Sequence, residues 1–375
     1  MKHQKDLQEV PPPRTSAPRL DLADVLPAEM IAAITAAKRI SFHGVGDTGA
    51  AKVKKQTPAQ AIANEASVAD AMARDVRDGG EEAPAFFFHL GDVVYNFGEG
   101  EYYYDQFYEP FRDYDRPILA IPGNHDGAVF GDTPDTPSVK TLTAFLRNFC
   151  AETPGASPDA GGLVRSVMTQ PGVYFTLDAP VVSIVGLYTN VLEGPGVISS
   201  EDGVYPIGDE QLDFLKEELA RLKEPRSAGE RAVVLACHHP PVSADSKSGG
   251  TAGLAKDIDK ACQSAGLWPD AVLSGHAHLY QRFTRAVDGR EIPYVVSGSG
   301  GFSTTPPQDV PHIPWTKDDY TLAVEPIDDY GYLTVTVDMT GSPQTLKIAF
   351  VGRDTATEHD AVTVDLSTGK IVPPA

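Results

Sequence analysis

The feature that most constrains this chain is a pair of short apolar runs, each of which leads into a glycine and a group of polar residues. Residues 86–90 are apolar apart from one histidine and run into GDVVY at residues 91–95, and residues 118–121 run into GNHD at residues 123–126. In an open α/β sheet, side chains just past the carboxyl ends of strands converge on the crevice where ligands bind. The side chains predicted to share this crevice are Asp92, Tyr95, Asn124 and His125.

The order of the other elements predicts an α/β fold. A strand, a polar loop and a helix at residues 39–76 precede the strand at residues 86–90, as in βαβ units with right-handed crossovers. From residue 292 onward strands follow one another without helices, which predicts a second, more antiparallel sheet packed on the first. The predicted helices are 28–38, 58–76, 141–149, 209–222 and 254–265. The predicted strands are 39–43, 86–90, 118–121, 173–177, 181–187, 233–236, 271–273, 292–297, 331–337, 346–351 and 361–366.

The acidic composition argues against polyanionic binding partners. The chain has 31 Lys and Arg against 52 Asp and Glu, a formal net charge of −21. Such a surface repels polyanions, so we expect neither nucleic acid nor an anionic membrane as a partner. Three scattered cysteines, no apolar run in the first twenty residues and no run of membrane-spanning length lead us to expect a soluble, cytoplasmic protein. Nothing in these features indicates the oligomeric state.

Three further polar clusters also follow apolar strands. They contain Asp47, His238, and the pair His276 and His278. Each cluster by itself is more simply a turn or a buried polar residue, but all five occur in order in one chain. Carboxylate, phenol, amide oxygen and imidazole together suit Fe, Mn or Zn. Asp92 could bridge two such ions, and paired ions about 3.5–4 Å apart are the usual apparatus for attack at phosphorus.

In this order the motifs resemble those of the calcineurin-like metallophosphoesterases. The motifs are DTG at 47–49, GDVVY at 91–95, GNHD at 123–126, LACH at 235–238 and GHAH at 275–278. Within that superfamily the chain is most similar to the purple acid phosphatase branch, because Gly49 stands where general members carry histidine and Tyr95 follows the second aspartate. The resemblance implies a four-layer αββα sandwich, in which two packed mixed β-sheets are flanked by helices.

The resemblance also implies a dinuclear metal site. One ion, expected to be Fe(III), would be held by Asp47, Asp92, Tyr95 and His278. The second, Fe(II), Zn or Mn, would be held by Asp92, Asn124, His238 and His276. Metal-bound hydroxide would attack the ester, while His125 contacts the phosphate and protonates the leaving oxygen and Asp126 orients His125.

Some positions keep two interpretations. Branch members often carry a second substrate histidine where this chain reads Ser246-Lys247-Ser248, so Lys247 is either a phosphate contact or a solvated loop residue. Arg282 is either a substrate contact or part of a structural ion pair. The aromatic run at residues 101–111 we interpret as an amphipathic helix docked on the sheet and not as a binding platform.

These observations predict a hydrolase whose partner is a small phosphate ester, most simply a monoester. The alternatives are a phosphodiesterase of the same superfamily and, from another class, a catalytically silent metal-binding interaction scaffold. We predict an N-terminal arm and helix at residues 1–38, a catalytic domain at 39–352 and a C-terminal strand or tail at 353–375.

Overall fold

A computed structural model describes residues 2–3, 9–51, 56–128, 130–131, 140–191, 196–247, 249–354 and 357–373, with backbone alone at 2–3 and 130–131. Its α-helices are α1 (Ala28–Ala37), α2 (Pro58–Asp78), α3 (Asn124–Gly127), α4 (Thr143–Phe149), α5 (Glu210–Ser227) and α6 (Ala252–Ala265). Single turns of 3-10 helix lie at Leu22–Asp24, Gly80–Glu82, Gly100–Tyr102 and Pro158–Ala160, and a π-helical turn at Tyr104–Tyr108.

The first strands in chain order are β1 (Lys2–His3), β2 (Arg19–Asp21), β3 (Arg39–Val45), β4 (Phe87–His89), β5 (Ile118–Ala120), β6 (Phe130–Gly131), β7 (Phe175–Asp178), β8 (Val182–Leu187) and β9 (Ala232–Cys237). The remaining strands are β10 (Ala271–Ser274), β11 (Tyr280–Val287), β12 (Arg290–Ser297), β13 (Trp315–Lys317), β14 (Tyr320–Leu322), β15 (Gly331–Asp338), β16 (Thr345–Gly352), β17 (Glu358–Asp365) and β18 (Lys370–Ile371).

Two large mixed sheets form the centre of the fold. One has the strand order β13-β14-β11-β12-β10-β9-β8-β7-β2, and the other β18-β17-β16-β15-β3-β4-β5. Strands β8, β9, β10 and β12 are parallel in the first sheet, and β3, β4 and β5 are parallel in the second. β1 and β6 form a separate two-stranded pair. Together with the flanking helices, these sheets make the α/β sandwich of two packed mixed sheets predicted from the sequence.

The apolar run at residues 86–88 shows how the layers pack. Successive side chains of a strand point to opposite faces, and here both faces are buried. Phe86 and Phe88 lie in the core between the two sheets, beside Val234 and Leu273 of the other sheet. Phe87 points the other way, into the core that also contains Val68 of α2. An uninterrupted apolar strand is therefore what this central position requires.

Helix α2 begins where the sequence predicts. Thr57 and Gln60 form a reciprocal capping box, in which Thr57 Oγ1 accepts from the Gln60 N–H at 3.2 Å and Gln60 Oε1 accepts from the Thr57 N–H at 2.8 Å. Pro58 occupies the first turn, where its missing N–H costs nothing. The cap satisfies backbone donors that the first turn leaves unpaired.

The expected grouping of the C-terminal strands was wrong. β15 to β18 do not form a sheet of their own, because β15 pairs with β3 along six residue pairs and so extends the sheet of β3, β4 and β5. β12 belongs to the other sheet, where it pairs in parallel with β10. The second sheet is instead built around β7 to β12, in the middle of the chain.

Both terminal segments contribute strands to the sheets. β2 pairs in parallel with β7 at one edge, and β17 pairs with β16 near the edge of the other sheet. The domain boundaries at 38/39 and 352/353 stay a prediction, and residues 1, 4–8, 355–356 and 374–375 of the two flanking segments lie outside the described residues. None of the described helices combines the length and apolar composition needed to cross a bilayer.

The aromatic run at residues 101–111 packs inward. Tyr103, Phe107 and Phe111 are at most 3% exposed and belong to one core cluster. They do not form the regular amphipathic helix that we expected, because the backbone passes from a 3-10 turn into the π-helical turn Tyr104–Tyr108. These three residues of the run are therefore part of the core, whereas Tyr102 and Tyr104 are 40% and 37% exposed.

Candidate metal centre

The predicted ligands come from both sheets. Asp47, Asp92 and Asn124 follow β3, β4 and β5 of one sheet, whereas His238 and His276 follow β9 and β10 of the other. The carboxyl ends of these parallel strands face the same edge of the sandwich. The five polar clusters therefore meet at one place, although they are separated by long stretches of sequence.

One half of the centre gathers around the hydroxyl of Tyr95. This oxygen lies 3.0 Å from Asp47 Oδ1 and 3.0 Å from Asp92 Oδ2. His278 joins the same group, with its Nε2 at 3.3 Å from Asp47 Oδ1. These are the four residues that the family resemblance assigned to the first ion.

The other half gathers around the side-chain oxygen of Asn124. His238 Nε2 lies 3.1 Å and His276 Nδ1 2.9 Å from Asn124 Oδ1. His238 Nε2 is also 3.3 Å from Asp92 Oδ2. Asp92 Oδ2 therefore lies within reach of both halves, as a bridging carboxylate must.

The outer atoms of the two carboxylates are held by backbone donors. The N–H of His125 donates to Asp92 Oδ1 at 2.8 Å, and the N–H of His276 donates to Asp47 Oδ2 at 2.7 Å. These bonds leave Asp92 Oδ2 and Asp47 Oδ1 directed at the centre. The inner oxygens are thus oriented before any cation binds.

The histidines are oriented in the same manner. His238 Nδ1 lies 2.8 Å from the Leu90 carbonyl, which can only accept, so this nitrogen donates and Nε2 is the nitrogen directed at the centre. His278 Nδ1 pairs with Ser303 Oγ at 2.9 Å. A ring held through one nitrogen presents the other as a ligand, which is the usual arrangement for metal-binding histidines.

Backbone geometry at the centre is unusual. Asp47, Asp92 and His276 have φ of 61°, 56° and 67°, in the left-handed region that non-glycine residues seldom adopt. Gly123 allows the closest approach, because a Cβ there would lie 2.1 Å from Asp92 Oδ1. Such conformations persist only where the surroundings enforce them, and they cluster at functional sites.

The electrostatics of the cluster favour bound positive charge. Burial opposes ionisation of Asp92, but positive charge on His238 and His125, with hydrogen bonds from both, holds its pKa well below the usual value. Burial likewise opposes protonation of His238, yet the charge of Asp92 raises its pKa to about 9. Burial, with the neighbouring charge of His238, lowers the pKa of His276 to about 4. Burial and the carboxylates of Asp47 and Asp92 raise the pKa of Tyr95 well above its usual value.

The donor set fits a metal centre. Ligand atoms of Asp47, Asp92 and His238 lie within 4.8 Å of one another, and the three residues are buried. Buried charges in proteins are paired with opposite charges or coordinate metals. Deprotonation of Tyr95 beside two carboxylates would require cations at the same place. Oxygen and imidazole donors without thiolate suit Fe, Mn or Zn.

The expected role of Asp126 was wrong. Its carboxylate does not contact the His125 ring but accepts from the N–H groups of Gly123, Val93 and Val94 at 2.8 to 3.2 Å. Burial and the charge of Asp92 raise its pKa to about 6, against the lowering effect of these bonds. Asp126 therefore ties the loop after β4 to the loop after β5. His125 Nδ1 is held by the Asn96 carbonyl, at 2.5 Å.

A cleft of about 140 Å³ opens over the ligands, and we call it the phosphate cleft. Its lining residues are Asp92, Asn124, His125, Asp245, Lys247, His276, Ala277, His278 and Thr305. Lys247, which the sequence left as either a phosphate contact or a solvated loop residue, lies in this cleft. Its Nζ donates to Thr305 Oγ1 at 3.0 Å. Ser248, beside it, lies outside the described residues.

Arg282 does not line this cleft. Its guanidinium pairs with Asp360 at 2.6 and 3.1 Å, which joins β11 of one sheet to β17 of the other. Tyr280 also donates to Asp360, at 2.6 Å. Of the two interpretations of Arg282, the structure supports the ion pair.

Sequence reasoning missed the residues that support Tyr95. Phe302 stacks on its ring at a centroid distance of 3.6 Å, and the Gln106 side chain bonds both the N–H and the carbonyl of Tyr95, at 2.8 and 2.7 Å. Gly49 belongs to the same arrangement, since a Cβ there would lie 2.5 Å from Gln106 Oε1. The signal that could have found Phe302 is the glycine-rich loop at 298–301, which directly precedes it.

The histidines that we did not assign as ligands remain outside the set. His89 is buried and pairs with Thr48 Oγ1 at 3.0 Å, and burial lowers its pKa to about 3. His43 is buried between Tyr114 and Asp75. His239 points its Nδ1 at Thr189 Oγ1, 2.8 Å away. His89 and His43 are therefore buried residues of β4 and β3 and not candidate ligands.

Comparison with solved structures finds proteins of similar fold. The chain resembles GAP50, the anchor in the inner membrane complex of Plasmodium, with 12% identity over 86% of this chain and 87% of that chain and a TM-score of 0.57. It also resembles PhoD, with 13% identity over 97% of this chain and 73% of that one and a TM-score of 0.50. A dimetal phosphatase from Danio rerio gives 13% identity, coverage of 88% and 99%, and a TM-score of 0.49. At these identities the likeness concerns the fold alone.

Among curated proteins, no significant sequence match to this chain is found. A family profile, however, does match. The profile of the calcineurin-like phosphoesterases covers residues 41–280, well over half of the chain and all five ligand clusters. The chain therefore belongs to the calcineurin-like phosphoesterase family, and its enzymatic class is that of a phosphoric ester hydrolase.

Proposed function

We propose that this chain hydrolyses a small phosphate monoester at a dinuclear centre of the purple acid phosphatase kind. The observation that carries the proposal is the position of Asp92 Oδ2, which is 3.0 Å from the Tyr95 hydroxyl and 3.3 Å from His238 Nε2. Because this carboxylate oxygen lies close to both groups of candidate ligands, its position supports a centre in which two ions share Asp92. The phenol in the first group supports the purple acid phosphatase branch and Fe(III) at that position.

The two ions would be held by the sets that the resemblance assigned. Asp47, Asp92, Tyr95 and His278 would hold one, and Asp92, Asn124, His238 and His276 the other. When bound, such ions polarise the phosphoryl oxygens and make a water-derived nucleophile available near neutral pH. Fe(II), Zn or Mn suits the second position, which has imidazole and amide donors.

His125 supplies a proton in this proposal. The Asn96 carbonyl accepts from its Nδ1, so that nitrogen keeps its hydrogen and Nε2 is the one left to hold a second proton. His125 lines the phosphate cleft and is half-buried, so Nε2 can reach a bound ester. It would donate that proton to the alcohol oxygen as the bond to phosphorus breaks.

Lys247 supplies a fixed positive charge. Asp245 accepts from its backbone N–H at 2.7 Å, and Thr305 accepts from its Nζ at 3.0 Å. The ammonium group therefore lines the cleft, together with the Asp245 carboxylate. A monoester dianion gains more from that charge than a singly charged diester, and the small cleft leaves space for one phosphoryl group.

Hydrolysis of matched substrates tests this function. With iron, zinc or manganese supplied in turn, we expect a higher kcat/KM for p-nitrophenyl phosphate than for bis(p-nitrophenyl) phosphate. His125→Ala should lower turnover by about 10²–10⁴-fold. A preference for the diester would favour the phosphodiesterase.

The scaffold alternative has one specific point in its favour. GAP50, which has a similar fold, is described as an anchor, so the fold by itself does not require turnover. Absence of hydrolysis with every metal, together with no effect of His125→Ala, would favour the scaffold over the enzyme.

We also propose a cytoplasmic location and no nucleic-acid or membrane partner. Cys150, Cys237 and Cys262 are all unpaired, which supports a reducing compartment. The net charge of −21 supports the absence of polyanionic partners. Salt-sensitive binding to duplex DNA would contradict the second part.

A further inference from the structure

A second cavity, of about 450 Å³, adjoins the phosphate cleft. It lies between the loop that carries Glu201 and Tyr205 and the first turn of α6. We call it the α6 pocket and define it by the lining residues Glu201, Tyr205, His239, Thr251, Gly253 and His276. His276 lines both cavities, so its imidazole ring borders the phosphate cleft on one side and the α6 pocket on the other.

The carboxylate of Glu201 lies at the N-terminal end of α6, which is where a helix would otherwise attract an anionic ligand. A Cβ on Gly253 would lie 1.9 Å from Glu201 Oε1, so the carboxylate lies directly against the first turn of α6. The N-terminus of a helix attracts negative charge, and here that charge comes from the chain itself. A second anionic group on a ligand would meet a carboxylate and not an open helix end.

The charges of the two cavities therefore differ. The described lining of the α6 pocket contains Glu201 but no lysine or arginine. The phosphate cleft contains Lys247 as well as Asp245, and it is bordered by the candidate ligands of two cations. An ester with its phosphate in the cleft and an uncharged or cationic alcohol in the pocket matches this arrangement. An ester with a second phosphate does not.

The pocket also offers acceptors for hydrogen bonds. A carboxylate such as Glu201 only accepts, and the hydroxyls of Tyr205 and Thr251 can accept as well as donate. His239 is 2% exposed, and its Nε2 has no hydrogen-bond partner among the described residues. Buried polar groups normally have a partner, and a ligand hydroxyl would supply one. These groups suit an alcohol that carries several O–H or N–H donors.

We propose that the α6 pocket binds the alcohol portion of the ester and selects a polyol or amino alcohol that carries no second phosphate. The proposal rests on the proposed function, because it places the alcohol relative to a phosphoryl group in the cleft. Polyols and amino alcohols share the hydrogen-bond donors that Glu201 would accept.

Four substrates test the proposal. They are hexose 6-phosphate, ethanolamine phosphate, hexose 1,6-bisphosphate, and p-nitrophenyl phosphate as a reference without donors. We expect wild type to prefer hexose 6-phosphate or ethanolamine phosphate to the bisphosphate.

In Glu201→Gln, kcat/KM for the preferred ester relative to the reference should fall roughly tenfold, as for the loss of a hydrogen bond to a charged group. Glu201→Lys should turn the preference toward the bisphosphate. A fall confined to the hexose ester identifies a polyol, and one confined to the ethanolamine ester an amino alcohol.

Asp202→Asn is the matched control. Asp202 is the neighbouring carboxylate on the same loop and also has a positive φ, but it points outward and pairs with Lys260 at 2.9 Å. The substrate ratios should stay as in wild type. Unchanged ratios in Glu201→Gln, or a wild-type preference for the bisphosphate, would overturn the pocket proposal.

A binding measurement separates the pocket from the reaction. We would titrate metal-loaded wild type and Glu201→Gln by calorimetry with the phosphonate analogues of hexose 6-phosphate and ethanolamine phosphate, in which a methylene replaces the bridging oxygen. The Kd should be roughly tenfold weaker in the variant. If no monoester is hydrolysed and the Kd still weakens, the proposed function fails and the pocket stands. If monoesters are hydrolysed and the Kd is unchanged, the pocket fails alone.

Discussion

Asp92 is the residue on which the centre depends. Its Oδ1 is fixed by the N–H of His125, and its Oδ2 lies between the Tyr95 hydroxyl and His238 Nε2. The left-handed backbone at Asp92 and the absence of a side chain at Gly123 both serve this placement. A single side chain thus connects the two ligand groups, each of which contains residues from both sheets.

Tyr95→Phe tests the proposed phenolate ligand. The variant keeps the ring that stacks on Phe302 but removes the oxygen between Asp47 and Asp92. Iron-loaded wild type should show a visible charge-transfer band from phenolate to Fe(III), and the variant should lose it. Tyr103→Phe is the control, because Tyr103 is equally buried but lies in the aromatic core. A band that survives in Tyr95→Phe would exclude Tyr95 as its source.

Lys247→Ala tests the proposed phosphate contact. Loss of a charged hydrogen bond to the substrate should lower kcat/KM for p-nitrophenyl phosphate roughly tenfold, and Lys247→Arg should restore part of it. Lys216→Ala is the control, because this lysine pairs with Asp213 on the outside of α5. If both alanine variants behave as wild type, Lys247 is a solvated loop residue.

At the scale of elements, one buried ion cluster joins the layers. Asp270 accepts two bonds from Arg226 at 2.7 Å, one from Arg290 at 2.6 Å and one from the Val233 N–H at 2.8 Å. Arg226 also donates to the Leu366 carbonyl at 2.6 Å. Helix α5, strands β9, β10 and β12 and the end of β17 therefore meet at one carboxylate.

Asp270→Asn should destabilise the fold strongly. The amide nitrogen cannot accept the bonds of two arginines, and breaking a buried ion pair costs about 3–5 kcal/mol. Urea unfolding followed by circular dichroism measures the loss. Asp213→Asn removes an exposed carboxylate of α5 and should stay within about 0.5 kcal/mol of wild type. Equal stability of the two variants would show that the cluster does not hold the layers together.

Local patterns in the sequence were enough to place most elements that carry the site. The helix at 58–76 and the strands at 118–121 and 271–273 have their own caps, glycines and apolar runs, and they occur within about two residues of the predicted bounds. The sheet that a strand joins is decided by partners far away in the chain. For that reason β15 was not expected beside β3, and the edge strand β2 was not predicted.

In the candidate metal centre, too, some residues can be recognised from local sequence patterns and others cannot. The candidate ligand residues follow strands and carry recognisable motifs, so the sequence was enough to name them, and the structure brings them together. The groups that orient them are common residues distant in sequence, such as Gln106, Ser303 and the Leu90 carbonyl, and no local pattern marks them. Asp126 was misassigned because adjacency to His125 in sequence suggested contact, whereas its turn directs the carboxylate at backbone N–H groups.

At the scale of the whole molecule, the phosphate cleft lies in an acidic protein. The net charge of −21 opposes the approach of a dianion, while Lys247 and bound cations attract it at short range. Salt shortens the range of both effects, from about 30 Å at 0.01 M to about 10 Å at 0.1 M. The long-range repulsion is therefore weakened first.

This balance predicts an unusual salt dependence. Between 0.01 M and 0.1 M salt, kcat/KM for a dianionic monoester should rise, whereas kcat at saturation should change little. Stopped-time assays in sodium chloride and in tetramethylammonium chloride measure the effect and control for binding of a particular ion. A steady fall over this range would mean that attraction by the cleft outweighs the charge of the whole protein.

The central claim is that two cations share Asp92. The most direct test is the metal content of the protein, measured by mass spectrometry after loading with iron or zinc and removal of free metal. The account predicts two ions per chain in wild type and no more than one in Asp92→Ala. Saturation of wild type at a single ion, or two ions retained without Asp92, would contradict it.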